Sequence, residues 1–328
     1  MPEMDYESSR KKSWAARLVQ LILILFCILM IFFLGFLYAP FQPFERARNL
    51  WVTTAMTTLN HQYLAKWFFS DEKIQSIMDN NQAASLGNSD PSLINAFRFT
   101  NLNSTELIDV SRNGFNGYLL KVSNPSHVKV AATRYIGKRG EKAEEIAKET
   151  GAVAVINGGL FSDPEGKGTG GNPLGILISE GRTVFKGSGT TYDVIGMNRN
   201  NVLVLGHYTL KQIEKMGIRD AVTFSPFLVV NGKPAITRGD GGWGIAPRTA
   251  IGQKQDGTIL MLVIDGRQIG SIGATLKDVQ DIMLEYGAFN VANLDGGSST
   301  VLYYEGKIVN HPSSLYGERN APSFFIVK

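Results

Sequence analysis

Two aspartates stand where apolar runs stop and glycine begins: Leu262-Val263-Ile264-Asp265-Gly266-Arg267 and Ala292-Asn293-Leu294-Asp295-Gly296-Gly297-Ser298-Ser299-Thr300. A carboxylate at a strand end, followed by small residues, lies beside free backbone N–H groups. Such donors keep it ionised or receive a ligand anion. A single Asp-Gly reads as a β-turn, but these two flank one helical stretch and so form a strand-helix-strand unit with an acid after each strand. In Asp240-Gly241-Gly242-Trp243-Gly244-Ile245-Ala246-Pro247-Arg248-Thr249-Ala250, Arg248 falls between a rigid proline and an expected strand. Its planar fork of donors suits a phosphate or carboxylate better than a lysine would; a salt bridge at the strand start is the structural alternative. In Ile156-Asn157-Gly158-Gly159-Leu160-Phe161 a strand runs straight into Asn-Gly-Gly, which lets a ligand approach the backbone closely. Tyr316-Gly317-Glu318-Arg319-Asn320 adds a charged pair before the final strand.

Other chemistries are excluded by what the chain lacks. With 44% hydrophobic, 10% aromatic and 19% charged residues in 328, it is neither a disordered chain nor a collagen. Its single cysteine, Cys27, lies in an apolar run, so the rest holds no disulfide, catalytic thiol or Cys-ligated zinc. His61, His127, His207 and His311 are scattered, which makes them surface or core residues rather than converging zinc ligands. The net charge of +4 indicates no polyanion-binding patch, and no nucleic-acid partner is expected. A phosphate-cradling loop from Gly159 to Gly168 is rejected: six residues rather than four separate Gly159 from Gly166, and Gly168 stands where Ser or Thr is required. That loop, with Asp163, Glu165 and Lys167, is either mobile or shaped around a ligand.

The elements that must position these residues follow from hydrophobic pattern. Leu18 to Ala39 is apolar except for Gln20, and at about 1.5 Å per residue it spans roughly a 30 Å hydrocarbon core. Arg10, Lys11, Lys12 and Arg17 precede it, which predicts a single-pass membrane anchor with a cytoplasmic N-terminus and an extracytoplasmic remainder. A cleaved signal peptide is the alternative, but its apolar core is usually only about 7 to 15 residues. Residues 1–17 are thus a basic tail, 18–39 the anchor and 40–114 a membrane-proximal stalk or linker. Within the stalk, Ala47 to Asn80 reads as one or two amphipathic helices with Leu50, Met56, Leu59, Tyr63, Trp67, Ile74 and Ile77 as apolar positions; Asn80 to Pro91 is linker-like. From Phe115 onward short β-rich runs alternate with glycine, among them Tyr118 to Val122, Ala152 to Ile156, Thr249 to Gly252, Ile259 to Ile264, Asn290 to Leu294 and Ser323 to Val327. Helices are expected at Glu141 to Thr150, Leu210 to Met216 and Leu276 to Tyr286, the last opened by a Thr275–Asp278 capping box. The fold class is α+β, with a mixed, largely antiparallel sheet in residues 115–328.

In order, INGGLF at 156–161, PRTAIG at 247–252, VIDGR at 263–267, NLDGGSST at 293–300 and GERN at 317–320 resemble the phosphodiester glycosidase family. Two departures concern substrate choice: Gly296-Gly297-Ser298 stands where the family commonly has three glycines, and the region after Arg319 is short. The resemblance implies hydrolysis of a sugar 1-phosphodiester, which releases the sugar and leaves a phosphomonoester. Bacterial members are often labelled exopolysaccharide-related, so the implied substrate is a phosphate-containing glycopolymer of the cell envelope or extracellular matrix. A phosphomonoester's second pKa is about 6, so the departing oxygen needs little acid help. The site needs a cation on the phosphate and a carboxylate near the anomeric carbon, where oxocarbenium charge develops. On this reading Arg248 meets the phosphate, Asp295 is nucleophile or base, and Asn157 orients a sugar hydroxyl or the phosphate. Gly158, Gly159, Gly296, Gly297, Ser298 and Ser299 form the cradle; Asp265, Arg267, Glu318 and Arg319 are further substrate contacts. No organic cofactor is expected. Two alternatives stay open: a metal-assisted phosphodiesterase with Asp265, Asp295 and Asn157 around a divalent cation, and a non-catalytic glycan-binding module.

Overall fold

In the computed structural model, which describes residues 3–58, 61–96, 104–164, 168–314 and 317–328, helix α1 (Glu3–Tyr38) opens the chain. Leu59, Glu165, Gly166, Lys167 and Tyr316, singled out above, lie outside the described residues. Within α1, Ala16–Tyr38 is long and apolar enough to cross a membrane, and its large side chains from Leu18 to Leu34 face outward rather than into a core.

The expected stalk is a packed helical cluster. Helices α2 (Gln42–Met56), α3 (Tyr63–Lys66) and α4 (Asp71–Asn81) bury Val52, Ala55, Ala65, Phe69, Ile74 and Ile77 together with Leu37 of α1. The Arg48 guanidinium is buried in this cluster, where its Nη1 donates to the Phe36 and Leu37 carbonyls at 3.0 and 3.1 Å. It thereby satisfies the carbonyls that the C-terminus of α1 leaves without helical partners. The linker-like stretch after α4 is strapped to the rest of the protein: the N–H of Ala84 donates to the Ala235 carbonyl at 2.9 Å, and Ser89 exchanges two 2.8 Å bonds with the backbone of Leu205. These contacts run mainly through backbone and leave little apolar periodicity in the sequence.

Three antiparallel sheets form the remainder. The largest has the strand order Thr105–Asp109, Gly117–Val122, Ile259–Ile264, Arg248–Lys254, Ala288–Asn293, Phe227–Val230, Lys233–Pro234. The second runs Lys307–Ile308, Leu302–Tyr304, Ala154–Asn157, Ser323–Val327, Val128–Ala132, and the third Arg182–Lys186, Ile176–Ser179, Ile218–Thr223, Tyr192–Asn198, Leu203–Tyr208. One core draws on all three, with Ile156, Leu177, Ile195, Val263 and Phe325 among its buried members. Helices α5 (Ala143–Thr150), α6 (Leu210–Lys215) and α7 (Leu276–Glu285) each cover one sheet through a separate apolar cluster. The α+β class is as expected. The strands Thr105–Asp109, Arg182–Lys186, Lys233–Pro234 and Lys307–Ile308 are absent from the sequence reading, and each is a sheet edge. Edge strands are half in water and carry a weak hydrophobic signature.

The large sheet brings the motif residues to one end. The strands Ile259–Ile264 and Ala288–Asn293 both pair antiparallel with Arg248–Lys254, which lies between them, so they run parallel to each other and α7 crosses over between them. Arg248 sits opposite Ile264, and Ala250 opposite Asn293. The residues after both outer strands therefore emerge where the middle strand begins.

Candidate active site

A cleft of about 870 Å³ opens at that end of the sheet. At its floor the Asp295 carboxylate accepts the Gly296 N–H at 3.1 Å and bonds the Ser299 side chain. Removal from water raises its pKa to about 6, against the opposing pull of those hydrogen bonds and of the Arg319 cation. Gly297, in the left-handed region at φ 62°, donates its N–H to the Pro247 carbonyl at 2.9 Å and keeps the loop tight beneath the carboxylate.

Two guanidinium groups from different motifs line the same cleft, and one of them, Arg319, acts on this carboxylate as a nearby positive charge. Arg319 Nη1 donates to Asp163 at 2.5 Å and to Ser298 Oγ at 3.1 Å, and the group stands 5.7 Å from the Phe161 ring centre. The Arg319 side chain holds the Asp163 carboxyl below its ordinary range. Arg267 differs, since its guanidinium makes no ion pair or hydrogen bond among the described residues although it lines the cleft. Its terminal nitrogens lie over Gly297, where an added Cβ would come within 3.3 Å of one of them. A cleft that holds both a carboxylate of raised pKa and a cation without a partner among the described residues suits an anionic ligand.

Several motif residues turn elsewhere. Arg248 lines the cleft, yet its Nε donates to the Ala274 carbonyl at 3.0 Å and its Nη2 to the Trp243 and Gly244 carbonyls at 2.8 and 2.6 Å. Burial brings its pKa down to about 10, with Asp240 acting in the other direction, so it stays a cation at neutral pH. Most of its donor fork holds the Asp240–Ile245 loop against the sheet, while the same side chain lines the cleft in which the expected phosphate contact would be made. Asn157, 1% exposed, accepts from Thr249 Oγ1 at 2.8 Å and from the Val301 N–H at 3.1 Å, and donates to the Asp295 carbonyl. Its amide is thus engaged within the protein and connects to the cleft through the loop that carries Asp295. Asn157→Ala is expected to cost about 2–3 kcal/mol of stability from the stranded partners, with a matching fall in kcat, measured by denaturant unfolding and by turnover on a sugar 1-phosphodiester.

The backbone that approaches Gly158 and Gly159 belongs to the protein, not to a ligand. Added Cβ atoms there would lie 2.8 Å from the Ser323 carbonyl oxygen and 2.7 Å from the Val222 Cβ, respectively. Asp265 is fully buried and accepts Asn310 Nδ2 at 3.0 Å and the His311 N–H at 2.9 Å, which ties down the segment before Ser313 rather than facing the cleft. The Glu318 carboxyl lies against the first backbone N–H groups of α5, away from the cleft, and burial raises its pKa. Asp265, Asp295 and Asn157 are therefore not gathered around one point, and among the described residues no three His, Cys, Asp or Glu side chains converge on a cation site.

Other cleft residues lack a sequence signal of their own. Trp243 and Phe224 form an aromatic pair with ring centres 6.0 Å apart. Asp240 is buried and accepts the N–H groups of Gly242 and Gly244 and the hydroxyl of Thr53 at 2.7 Å, which joins the loop to α2. Thr54, Thr57, Thr58 and His61 form the cleft wall contributed by the helical cluster. Thr53-Thr54 at the end of α2 and Thr57-Thr58 just after it are four residues apart, a spacing too common by itself to mark a site. Gly244, at φ +56°, packs so closely that an added Cβ would lie 2.3 Å from Thr54 Cα. Gly244→Ala is expected to cost about 2–4 kcal/mol and to loosen α2 from the cleft, seen as a lower Tm and faster proteolysis after α2.

The model of the family described as phosphodiester glycosidase matches residues 150–328. The chain belongs to the phosphodiester glycosidase family. All of the cleft-lining motif residues named above lie inside the matched stretch, whereas α2 and the helical cluster precede it. This phosphodiester glycosidase family member is 29% identical over 188 residues to the SPbeta prophage-derived uncharacterized protein YomE of Bacillus subtilis (strain 168), covering 53% of this chain and 27% of that protein. It is 27% identical over 193 residues to the Bos taurus N-acetylglucosamine-1-phosphodiester alpha-N-acetylglucosaminidase, covering 54% of this chain and 36% of the relative. The chain thus spans about a third or less of the length of these curated relatives. The zebrafish N-acetylglucosamine-1-phosphodiester alpha-N-acetylglucosaminidase catalytic domain, solved auto-inhibited by pro-peptide, shares the fold with a TM-score of 0.58 at 22% identity, over 75% of this chain and 86% of that one.

Proposed function

We propose that the protein hydrolyses a sugar 1-phosphodiester by breaking the bond between C1 and the phosphate oxygen. The observation that carries this reading is one cleft holding the Asp295 carboxylate, with its pKa near 6, and the unpaired Arg267 guanidinium. At neutral pH Asp295 is mostly ionised and able to attack the anomeric carbon or take a proton from water. Arg267 and Arg319, which line the same cleft, bind the phosphate and stabilise the second negative charge that grows as the phosphomonoester leaves. The Trp243–Phe224 pair offers an apolar face to the sugar ring. The names of the bovine and zebrafish relatives support N-acetylglucosamine as the sugar to test first. In this reading α1 anchors the protein with its N-terminus in the cytoplasm, and the cleft acts on a phosphate-containing glycopolymer of the cell envelope, without an organic cofactor.

Hydrolysis in ¹⁸O-water decides the bond. Label in the released sugar is expected; label in the phosphate would mean attack at phosphorus and would overturn the assignment. Turnover is expected to survive EDTA, because the carboxylate and amide of the metal-assisted alternative are already hydrogen-bonded within the protein. Saturable glycan binding without any turnover would instead identify a binding module.

A further inference from the structure

The helix that walls one side of the cleft is also the helix that leaves the apolar span. Only Ala39, Pro40 and Phe41 separate α1 from α2. α2 then stays against the end of α1: Phe44 packs edge-on against Phe32 and Phe36 with ring centres 5.3 and 6.3 Å apart, and Trp51 lies 5.7 Å from Phe36. Phe68, just beyond α3, meets Phe33 at 5.6 Å. Near the other end of α2, about 22 Å away for a helix of 15 residues, the Ile245 N–H donates to Thr54 Oγ1 at 3.0 Å and Thr57 Oγ1 donates to the Trp243 carbonyl at 3.1 Å. The last turns of the span and the rim of the cleft therefore belong to one braced block rather than to two bodies on a flexible tether.

Two separate parts of the chain expose apolar side chains around this block. Tyr38, Phe41, Tyr63 and Trp67 are exposed, Trp67 at 72%, where the span meets the cluster. Aromatic side chains of this kind settle at the boundary between hydrocarbon and water. The second part is the turn that brings Arg267 and Ile272 to the cleft, closed by reciprocal backbone bonds between Gln268 and Ser271. At its tip Ile269 is completely exposed, and Ile272 is more than half exposed. An isoleucine at the apex of a tight turn, two residues from the unpaired cation, suits a lipid surface: the side chain enters the apolar layer while the guanidinium stays at phosphate level.

We propose that the cleft works at the membrane surface with the Ile269 turn seated in the bilayer interface, and that its substrate is a sugar 1-phosphodiester whose other ester oxygen carries a membrane-embedded lipid alcohol. This rests on the glycosidase reading above and replaces the glycopolymer with a lipid-linked sugar phosphodiester as its substrate class. Water supplies the hydroxyl that joins C1, and the C1–O bond to phosphate breaks with its electron pair left on the phosphate oxygen. The second water proton goes to the phosphate or to solvent. The sugar diffuses away and the lipid phosphomonoester stays in the bilayer.

The full chain, reconstituted in phosphatidylcholine vesicles, would be given two synthetic probes: the hexadecyl ester of N-acetylglucosamine 1-phosphate in the same vesicles, and the ethyl ester in solution. The expected kcat/KM is at least about tenfold higher for the hexadecyl ester. Ile269→Ser is expected to remove about fivefold or more of that value and leave the ethyl ester unaffected. Equal or faster cleavage of the ethyl ester would overturn the proposal. Location is read independently of turnover in Cys27→Ser/Ile269→Cys carrying a nitroxide. Relaxation by oxygen rather than by a water-soluble nickel complex is expected; the reverse would place the turn in water and sink the seating. Failure to cleave either ester would overturn the glycosidase reading, and the nitroxide would still decide where the turn lies.

Discussion

Asp295→Asn is expected to lower hydrolysis of a sugar 1-phosphodiester by at least about a thousandfold and, at the same time, to make the protein more stable above pH 6. The two effects share one cause. Desolvation lifts the Asp295 pKa from 3.8 to about 6 because the floor of the cleft disfavours the charged form. An acid whose folded pKa is raised contributes stability that is fully present below the unfolded pKa of 3.8 and is lost as pH rises through the folded value near 6. Above that window the native protein carries a carboxylate that folding has made costly. For a half-buried group that cost is on the order of 1–2 kcal/mol. Asparagine keeps the shape and accepts the Gly296 N–H without the charge, so the gain should appear between pH 6 and 8 and vanish near pH 4. Parallel unfolding curves for the two proteins at those pH values check it; equal stability at pH 7 would refute the desolvated carboxylate. In the native protein kcat/KM for the proposed hydrolysis is expected to rise with pH and level off above about 6, as the base form of Asp295 accumulates.

Arg267 and Arg248 are expected to fail in opposite ways. Arg267→Ala should leave stability within about 0.5 kcal/mol, since among the described residues the guanidinium makes no ion pair or hydrogen bond whose partner would be stranded, while kcat/KM falls about a hundred- to a thousandfold. The loss should sit mainly in kcat, because phosphate charge grows as the sugar departs. Arg267→Lys restores a point charge but not the fork, so only partial recovery is expected. Arg248→Ala should instead destabilise the protein by about 3–5 kcal/mol. It leaves the Ala274, Trp243 and Gly244 carbonyls without their donor and releases the loop that holds α2. Thermal unfolding beside steady-state kinetics on both variants separates the roles. A stable, inactive Arg248→Ala with an active Arg267→Ala would return the phosphate to Arg248.

Much of the frame was legible from pattern. Apolar runs ending in Asp265 and Asp295, with the Thr275-capped helix between them, specify a crossover unit whose strand ends meet at one edge, and the structure has that unit. The short edge strands were not legible, because half their residues face water. The helical cluster was visible as amphipathic stretches, but its docking was not. It depends on Thr53, Thr54 and Thr57 meeting Asp240, Ile245 and Trp243, more than 180 residues away in the chain.

Residue type and order determined that this protein has a long apolar helix, an α+β domain, a family, and a set of acids and arginines at strand ends and turns. Which guanidinium is taken up by the protein's own carbonyls was decided by folding. Arg248, fixed between a proline and a strand, has most of its fork taken by carbonyls of loops that curl back over it, whereas Arg267, at φ 61° in a tight turn, is held over Gly297 with no ion pair among the described residues. A guanidinium's availability depends on which carbonyls the folded chain carries to it, and that is a property of loop geometry rather than of spacing along the sequence.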